Sequence, residues 1–405
     1  MPTTPANTPP KVRLPFEVWA LVAGGFTVAL GYGVVAPAIP QFALEFGVST
    51  FAASAIVSAF ALMRLVGAPL GGWVVSRFGE RATYTTGILI VAASTGAAAF
   101  AMNYPQFLIL RGLGGLGSAM FTIAATALLV EASPPQGRAR VASVNAAGFL
   151  LGGLLGPVLG GVVAGFGLRA PFIFYFFTLV AAAIVVTIAL RSKHALPRAA
   201  AGARQTDEEM QLRDALALPT YRSLLLSVFA FGWTSFGVRV SLIPIFIAVV
   251  FAGDATTAAW VLAAYAAGNA IFIFPAGRWS DSIGRTPLLS TGLAVLAAAF
   301  LAFPFAGSLW VAMAIMVVAG AGSALANPGH QAVLADVLGQ RRGGMVVSTF
   351  SMSSDLGGVL GPLIAGAIVD VAGFGWAFGL TAALLAAAAI GWLATAKHTA
   401  ALTKG

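Results

Sequence analysis

The sequence predicts an all-α membrane protein with twelve transmembrane helices in two six-helix bundles, related by a pseudo-two-fold axis along the membrane normal. Two observations predict this fold class: a composition too apolar for a water-soluble protein, and a repeat of glycine-rich motifs at a fixed offset. Of the 405 residues, 59% are hydrophobic and only 9% are charged, whereas soluble domains have roughly 25% charged residues. This composition excludes a soluble enzyme, a nucleic-acid-binding protein and a disordered protein.

Long apolar stretches define the predicted helices. A helix needs about 20 mostly apolar residues to cross the ~30 Å hydrocarbon layer of a membrane. The charge-free stretch 286–335 is long enough for two such helices, with a turn near residues 304–308. In chain order, the predicted helices are residues 16–40, 51–76, 82–101, 104–130, 139–166, 170–190, 220–250, 255–278, 287–305, 307–335, 344–370 and 374–396.

The positions of Lys and Arg predict the orientation. With a cytoplasmic N-terminus, eighteen of these residues fall on the cytoplasmic side and one, Arg169, falls in the outer loops. This bias follows the positive-inside rule. We therefore expect a multi-pass protein of the inner (cytoplasmic) membrane with both termini cytoplasmic. Because the bias in Lys and Arg accounts for the net charge of +9, that charge does not indicate nucleic-acid binding. The predicted segments are a tail (1–15), a bundle (16–190), a cytoplasmic linker (191–219), a second bundle (220–396) and a second tail (397–405).

The two halves match at a constant shift of 205 residues, as from Gly72 to Gly277. The register is unbroken over about ninety residues, and further matched pairs are Gly115 and Gly320, Glu131 and Asp336, Gly156 and Gly361, and Pro157 and Pro362. The repeat indicates two bundles with the same fold and the same orientation. Repeats of this kind rock against each other around a site near the middle of the membrane.

A loop with glycine and arginine follows predicted helix 2. Gly72, Arg77, Gly79 and Arg81 in this loop resemble the signature motif of the major facilitator superfamily, and a second copy after helix 8 contains Gly277, Asp281, Gly284 and Arg285. Glycine permits close helix contact and a tight turn. The fifth position of the motif is usually Asp in that family, but the first copy here has Ser76. The resemblance covers nearly the whole chain and implies a transporter rather than an enzyme.

Helix 5 contains a motif similar to that of the drug:proton antiporter branch of this family. Its residues are Gly152, Gly156, Pro157, Gly160 and Gly161, and helix 11 has a partial copy that includes Gly361 and Pro362. Two interpretations stay open. The motif indicates the direction of transport, or its small residues only permit close helix packing.

Asp355 is the only acid placed deep within a predicted helix. It lies about eleven residues from the inner end of helix 11, and Arg64 lies twelve residues from the inner end of helix 2, so both are ~16–18 Å deep at ~1.5 Å per residue. The family fold places these helices against each other. We therefore expect an Arg64–Asp355 contact that acts as a gate and proton site. The alternatives are a purely structural ion pair, or a pair between Asp355 and Arg239.

The resemblance places a substrate cavity among helices 1, 4, 7 and 10. Arg111, which resembles an intramembrane arginine of the family, is predicted to hold an anionic substrate, to assist proton transfer or to bond helix carbonyls. Arg239 is predicted either to contact substrate or to extend its side chain to the membrane surface. The other residues predicted to line the cavity are Tyr32, Phe121, Asn145, Trp233, Phe236, Tyr265, Asn269 and Met316. For each aromatic residue, the alternative is that its ring packs between helices or against lipid.

Several sequence features limit the chemistry. The chain has no cysteine, only three histidines and no Gly-x-x-x-x-Gly-Lys loop, so we expect no metal, no cofactor and no ATP-driven step. The proton gradient is the expected energy source, and the expected function is proton-coupled export of amphipathic drugs or metabolites by alternating access. The expected partners are a small amphipathic substrate, protons and membrane lipid, and the protein is expected to act as a monomer. A facilitator or importer of a small solute and a lipid exporter are the alternatives.

Overall fold

The computed structural model describes residues 14–133, 138–190, 209–339 and 341–402. Most of the predicted N-terminal tail and the first part of the predicted linker, 191–208, lie outside these residues. The same is true of seven basic residues used to predict the orientation, namely Lys11, Arg13, Arg191, Lys193, Arg198, Arg204 and Lys404. The side chains of Arg138 and Asp281 are also outside the description.

Twelve long helices make up almost all of the described chain. They are α1 (Phe16–Leu44), α2 (Thr50–Phe78), α3 (Glu80–Ala98), α4 (Tyr104–Ala132), α5 (Arg138–Ala164), α6 (Ala170–Leu190), α7 (Pro219–Val250), α8 (Ala255–Ile283), α9 (Arg285–Ala302), α10 (Leu309–Leu338), α11 (Gly344–Ala372) and α12 (Phe374–Leu402). Eleven of them are long and apolar enough to cross a membrane. The exception, α3, has 19 residues and begins with charged and hydroxyl side chains. The predicted twelve-helix fold is confirmed.

Some predicted boundaries differ from those of the structure. Helix α12 is longer than predicted, because it continues beyond residue 396 through Leu402 and into the predicted tail 397–405, in a stretch without Gly or Pro to stop it. Helix α1 extends beyond residue 40 to Leu44, with a break after Val35 where Pro37 removes a backbone donor. The turn predicted near 304–308 is confirmed by a short 3-10 helix, Phe303–Phe305.

Each half has its own hydrophobic core, and the cores repeat each other. In the first half, the rings of Phe42, Phe107 and Phe172 pack with centroids 5.1–5.8 Å apart. In the second half, Phe246, Phe303 and Phe378 form a similar cluster at 5.1–5.9 Å. Both clusters lie at the same end of the bundle, which we call the outer end. The inner end is the one where α1 begins and α12 ends, and it is the side predicted to be cytoplasmic.

The halves meet along two pairs of helices. Helix α2 packs on α11, and α5 packs on α8. At the outer end α1 also contacts α7, where the side chain of Gln41 donates a hydrogen bond to the carbonyl oxygen of Pro244 (3.1 Å). This boundary between the halves, which we call the seam, contains the candidate functional site.

Candidate functional site

An ion pair joins the two halves in the middle of the seam. Arg64 Nη2 on α2 donates to Asp355 Oδ1 on α11 at 2.7 Å, so the predicted contact is present. The two side chains are 45% and 25% exposed, respectively. Arg239 does not take the place of Arg64 here, because its Nε donates to the carbonyl oxygen of Ser235. The geometry therefore distinguishes between the two predicted partners of Asp355.

Further hydrogen bonds connect α2 and α11 on the outer side of this pair. Ser58 Oγ donates to the carbonyl oxygen of Val359 (2.7 Å). At the outer end, the carboxylate of Asp370 accepts the backbone N–H groups of Thr50 (2.9 Å) and Phe51 (2.8 Å). Within the described ranges, no hydrogen bond joins the parts of α2 and α11 on the inner side of the ion pair. The halves are thus bonded along the outer part of this seam.

Asp370 is a functional candidate that is not among the residues predicted from the sequence. Its two acceptor oxygens bind the first N–H groups of a helix in the other half, where the helix dipole favours negative charge. The corresponding acid at the start of α8, Asp254, instead caps its own helix through the N–H and hydroxyl of Thr257. Partial burial raises the pKa of Asp254, but these hydrogen bonds outweigh it and hold the pKa below its usual range. Asp370 and the helix that it caps are far apart in the sequence, so no local sequence pattern predicts this cap.

A widened segment of α7 positions the part of α11 that contains Asp355. Residues Gly232–Val238 form a π-helical stretch, a feature that is often found at functional sites. Gly232 contacts Ser354, next to Asp355. A Cβ on Gly357 would lie 2.6 Å from Trp233 N, and one on Gly361 would lie 2.8 Å from Trp233 O. Glycine at these positions therefore lets the backbones of α7 and α11 touch.

The helix-5 motif packs α5 on α1. A Cβ on Gly152 would lie 2.5 Å from Phe26 O, one on Gly156 2.7 Å from Gly33 Cα, and one on Gly160 2.9 Å from Val34 O. Gly161 faces the other half, where a Cβ would lie 3.3 Å from the indole of Trp260. Close packing, one of the two predicted interpretations of the motif, is therefore present, and the motif reaches the seam.

The glycine-arginine loops lie at the inner end. Gly79 and Gly284 have φ of +83° and +99°, which fits the predicted tight turns. A Cβ on Gly72 or on Gly277 would have no neighbour within 4 Å, so the expected close helix contact at Gly72 is wrong. Arg285 donates to Asp336 and to the carbonyl oxygen of Ala332 (3.3 Å), whereas Arg77 and Arg81 are exposed.

Four of the predicted cavity residues are instead buried in the core of their own half, namely Phe121, Trp233, Tyr265 and Met316. Phe121 is 3% exposed and packs on Tyr84 with centroids 5.0 Å apart. Trp233 is 3% exposed and donates from Nε1 to Thr381 Oγ1 (3.1 Å). Tyr265 is also buried, and its hydroxyl lies 3.3 Å from Ser235 Oγ. Met316 is 1% exposed. Their rings and thioether fill gaps between helices, so in this conformation they do not line an open cavity.

The other cavity candidates are distributed over the interior. Asn269, which is partly buried, donates to Ser323 Oγ (3.3 Å) and so joins α8 to α10. Tyr32 and Asn145 are partly buried as well. Phe236 is 55% exposed.

The chain matches the family model described as "Major Facilitator Superfamily" over residues 21–251 and 224–405. The chain belongs to the major facilitator superfamily. It is 24% identical over 359 residues to the quinolone resistance protein NorA of Staphylococcus aureus, covering 88% of this chain and 90% of NorA. It is 26% identical over 358 residues to multidrug resistance protein 2 of Bacillus subtilis (strain 168), covering 87% and 88%.

Two solved structures of transporters have the same fold. One is a bacterial homologue of the human lysosomal transporter Spinster in an inward-facing and occupied conformation, with TM-score 0.74, 18% identity and 96% of each chain covered. The other is a D-xylose-proton symporter, with TM-score 0.72, 18% identity, and 92% of this chain and 96% of the symporter covered. As a major facilitator superfamily member, the protein is a multi-pass membrane transporter with a carrier fold.

Proposed function

We propose that this transporter exports amphipathic drugs or metabolites across the inner membrane in exchange for protons, by alternating access. The observation that supports it best is the ion pair between Arg64 and Asp355, which are on opposite halves. The relatives named for quinolone and multidrug resistance support the export of drug-like compounds. The resemblance of the helix-5 motif to that of antiporters supports the same direction.

The charge of Asp355 links proton binding to the contact between the halves. Protonation of the carboxyl group removes its charge and therefore its attraction to Arg64. The ion pair is the innermost of the described hydrogen bonds between α2 and α11. A proton on Asp355 thus weakens the seam where the halves must separate, and it biases the equilibrium between the two conformations.

The side of opening follows from the same contacts. The halves are bonded on the outer side of Arg64 and Asp355, through Ser58 and Asp370. Combined with cytoplasmic termini, this arrangement corresponds to an inward-facing state, in which cargo enters from the cytoplasm. The outward-facing state then requires these outer hydrogen bonds to break.

The test is transport by purified protein in proteoliposomes with an imposed pH gradient and a panel of amphipathic dyes. We expect gradient-driven dye movement by the wild type and its loss in Asp355→Asn, with the folded protein still in the membrane. Asp254→Asn is the matched control, because Asp254 caps the N-terminus of α8 and makes its hydrogen bonds within its own half. Full proton-driven transport by Asp355→Asn would refute the role of Asp355, and dye flux independent of the gradient would favour a facilitator.

A further inference from the structure

The interior of the protein contains more positive than negative charge. Four charged side chains lie well within the helices, namely Arg64, Arg111, Arg239 and Asp355. Arg64 and Asp355 neutralise each other. In the part of the chain that the structure describes, the other ion pair is Arg285–Asp336 at the inner end, so neither Arg111 nor Arg239 has a carboxylate partner there. Among the described residues, the interior of each half therefore has one arginine whose charge no carboxylate compensates.

Arg111 on α4 is almost completely enclosed. It is 2% exposed, and its guanidinium carbon lies 4.9 Å from the centre of the Phe60 ring. Its Nε is buried without a hydrogen-bond acceptor among the described residues. The rings of Tyr32 and Phe60, whose centroids are 6.2 Å apart, are only partly buried. One side of this arginine is thus covered by the Phe60 ring, which forms an accessible aromatic pair with Tyr32.

Arg239 on α7 has a similar aromatic setting in the other half. Its guanidinium carbon lies 4.5 Å from the centre of the Tyr265 ring. Its described hydrogen bond uses Nε and the carbonyl oxygen of Ser235 (3.0 Å), which leaves the two Nη groups for a ligand. It directly follows the π-helical stretch of α7, so its position depends on the segment that contacts α11.

Uncompensated guanidinium groups are costly within a membrane protein. Contacts with ring faces and one carbonyl oxygen lower this cost, but they do not neutralise the charge. A planar guanidinium binds carboxylate or phosphate groups with paired hydrogen bonds. An anionic group on the cargo would therefore supply the missing counter-charge.

We infer that the cargo is an amphipathic organic anion, an apolar or aromatic body with a carboxylate or similar group. Arg111 and Arg239 recognise the anionic group, and the partly exposed rings of Tyr32 and Phe60 contact the apolar body. The inference rests on the proposed export function and names its substrate class. It also excludes a preference for organic cations, because a cation would enter an interior that already has two unpaired positive charges.

The test compares three probes that share one aromatic body and differ in charge: pyrenebutyrate, pyrenebutanol and pyrenebutyltrimethylammonium. Binding is measured by titration of the purified protein in nanodiscs of zwitterionic phosphatidylcholine, with protein-free nanodiscs subtracted. We expect pyrenebutyrate to bind about tenfold or more tightly than either other probe. We expect Arg111→Gln and Arg239→Gln each to lower its affinity about tenfold and to leave pyrenebutanol unchanged.

Two variants separate recognition from a structural role. Arg222→Gln, at an exposed position near the inner end of α7, is the matched control and should bind all three probes as the wild type does. Arg111→Lys keeps the charge and should keep the preference for the anion. If Arg111→Gln does not fold, Arg111→Lys and Arg239→Gln still test the inference.

The inference is overturned if the wild type binds the cationic or neutral probe as well as the anion, or does not bind the anion. Equal losses for the anionic and neutral probes in the Gln variants would also overturn it. The proposed function is tested separately by the pH gradient. If the protein prefers the anion but transport does not respond to the pH gradient, proton exchange is refuted and the anion inference stands. If the gradient drives export of the cationic probe and not of the anion, the anion inference is refuted and proton exchange stands.

Discussion

Arg64 Nη2 on α2 lies 2.7 Å from Asp355 Oδ1 on α11, and this ion pair connects the two halves, which move relative to each other in the proposed transport cycle. Both residues come from the interior of long apolar helices. Since each belongs to a different bundle, rocking of the halves changes their separation directly. The pair is therefore a contact that stabilises the described conformation, and under the proposed function it is also the point at which a proton acts.

A double-mutant cycle should measure the coupling between these two residues. We expect Arg64→Gln and Asp355→Asn to be non-additive by about 1 kcal/mol in unfolding free energy, because the pair is partly exposed. Thermal unfolding of the purified protein measures this quantity. The control cycle uses Arg77→Gln, at an exposed position of the same helix, with Asp355→Asn, and it should be additive. Additivity of the first cycle would show that the contact contributes nothing to stability.

Asp370→Asn should open the outer seam. The variant loses the charge that binds two N–H groups of α2, which we expect to shift the conformational equilibrium by about 1 kcal/mol, or about fivefold. Because the chain has no cysteine, Ser54→Cys, at a fully buried seam position, can be labelled with a maleimide only when the seam opens. Labelling should be about fivefold faster in the Asp370→Asn background.

Asp254→Asn is the control for this experiment, since its hydrogen bonds stay within α8. It should leave the labelling rate of Ser54→Cys unchanged. Equal rates in the wild-type and Asp370→Asn backgrounds would mean that Asp370 does not hold the seam closed.

Gly156→Val should destabilise the first half by about 2 kcal/mol or more, because the added atoms meet the backbone of α1. A Cβ at this position would lie 2.7 Å from Gly33 Cα and from Leu30 O. Gly153→Val is the control on the same helix, where a Cβ has no neighbour within 4 Å. The melting temperature of Gly156→Val should therefore be lower than that of Gly153→Val. Equal melting temperatures would contradict the packing role of the motif.

Arg285→Gln should lower the stability of the second half by about 1 kcal/mol, because Asp336 loses its partner at the inner ends of α9 and α10. The ion pair and the bond to the carbonyl oxygen of Ala332 both depend on this guanidinium. Arg278→Gln, at a nearby exposed position, serves as the control. A melting temperature of Arg285→Gln equal to that of the control would show that the pair is not an anchor.

Depth along the helices predicts the ion pair only together with the family resemblance, which places α2 against α11. Arg64 and Asp355 are charges in otherwise apolar stretches, and a charge in such a stretch needs a partner at the same depth. Asp370 escaped prediction because its partners are backbone N–H groups of Thr50 and Phe51. Backbone groups are the same at every residue, so no residue type marks them as the partners of an acid.

The orientation of the candidate cavity residues is harder to predict from the sequence, for a different reason. In a soluble helix the apolar face identifies the buried side, but helices in lipid are apolar on every face. The sequence therefore does not tell whether Phe121 or Trp233 points to a cavity, to lipid or to a neighbouring helix. Both are buried in the core of their half, and the π-helical stretch that includes Trp233 was not predicted either.

The sequence by itself determined the number of helices, the duplication into two bundles and the depth of each buried charge, because these follow from apolar length, repeated glycines and counting along a chain of constant rise. Only the tertiary structure decided which helix faces touch, that Asp370 caps a helix of the other half, and that Arg111 and Arg239 have no carboxylate partner among the described residues. These properties depend on the rotation and distance of helices that are far apart in sequence. They are set by close packing between glycine-rich surfaces, which is a property of pairs of helices rather than of any one segment.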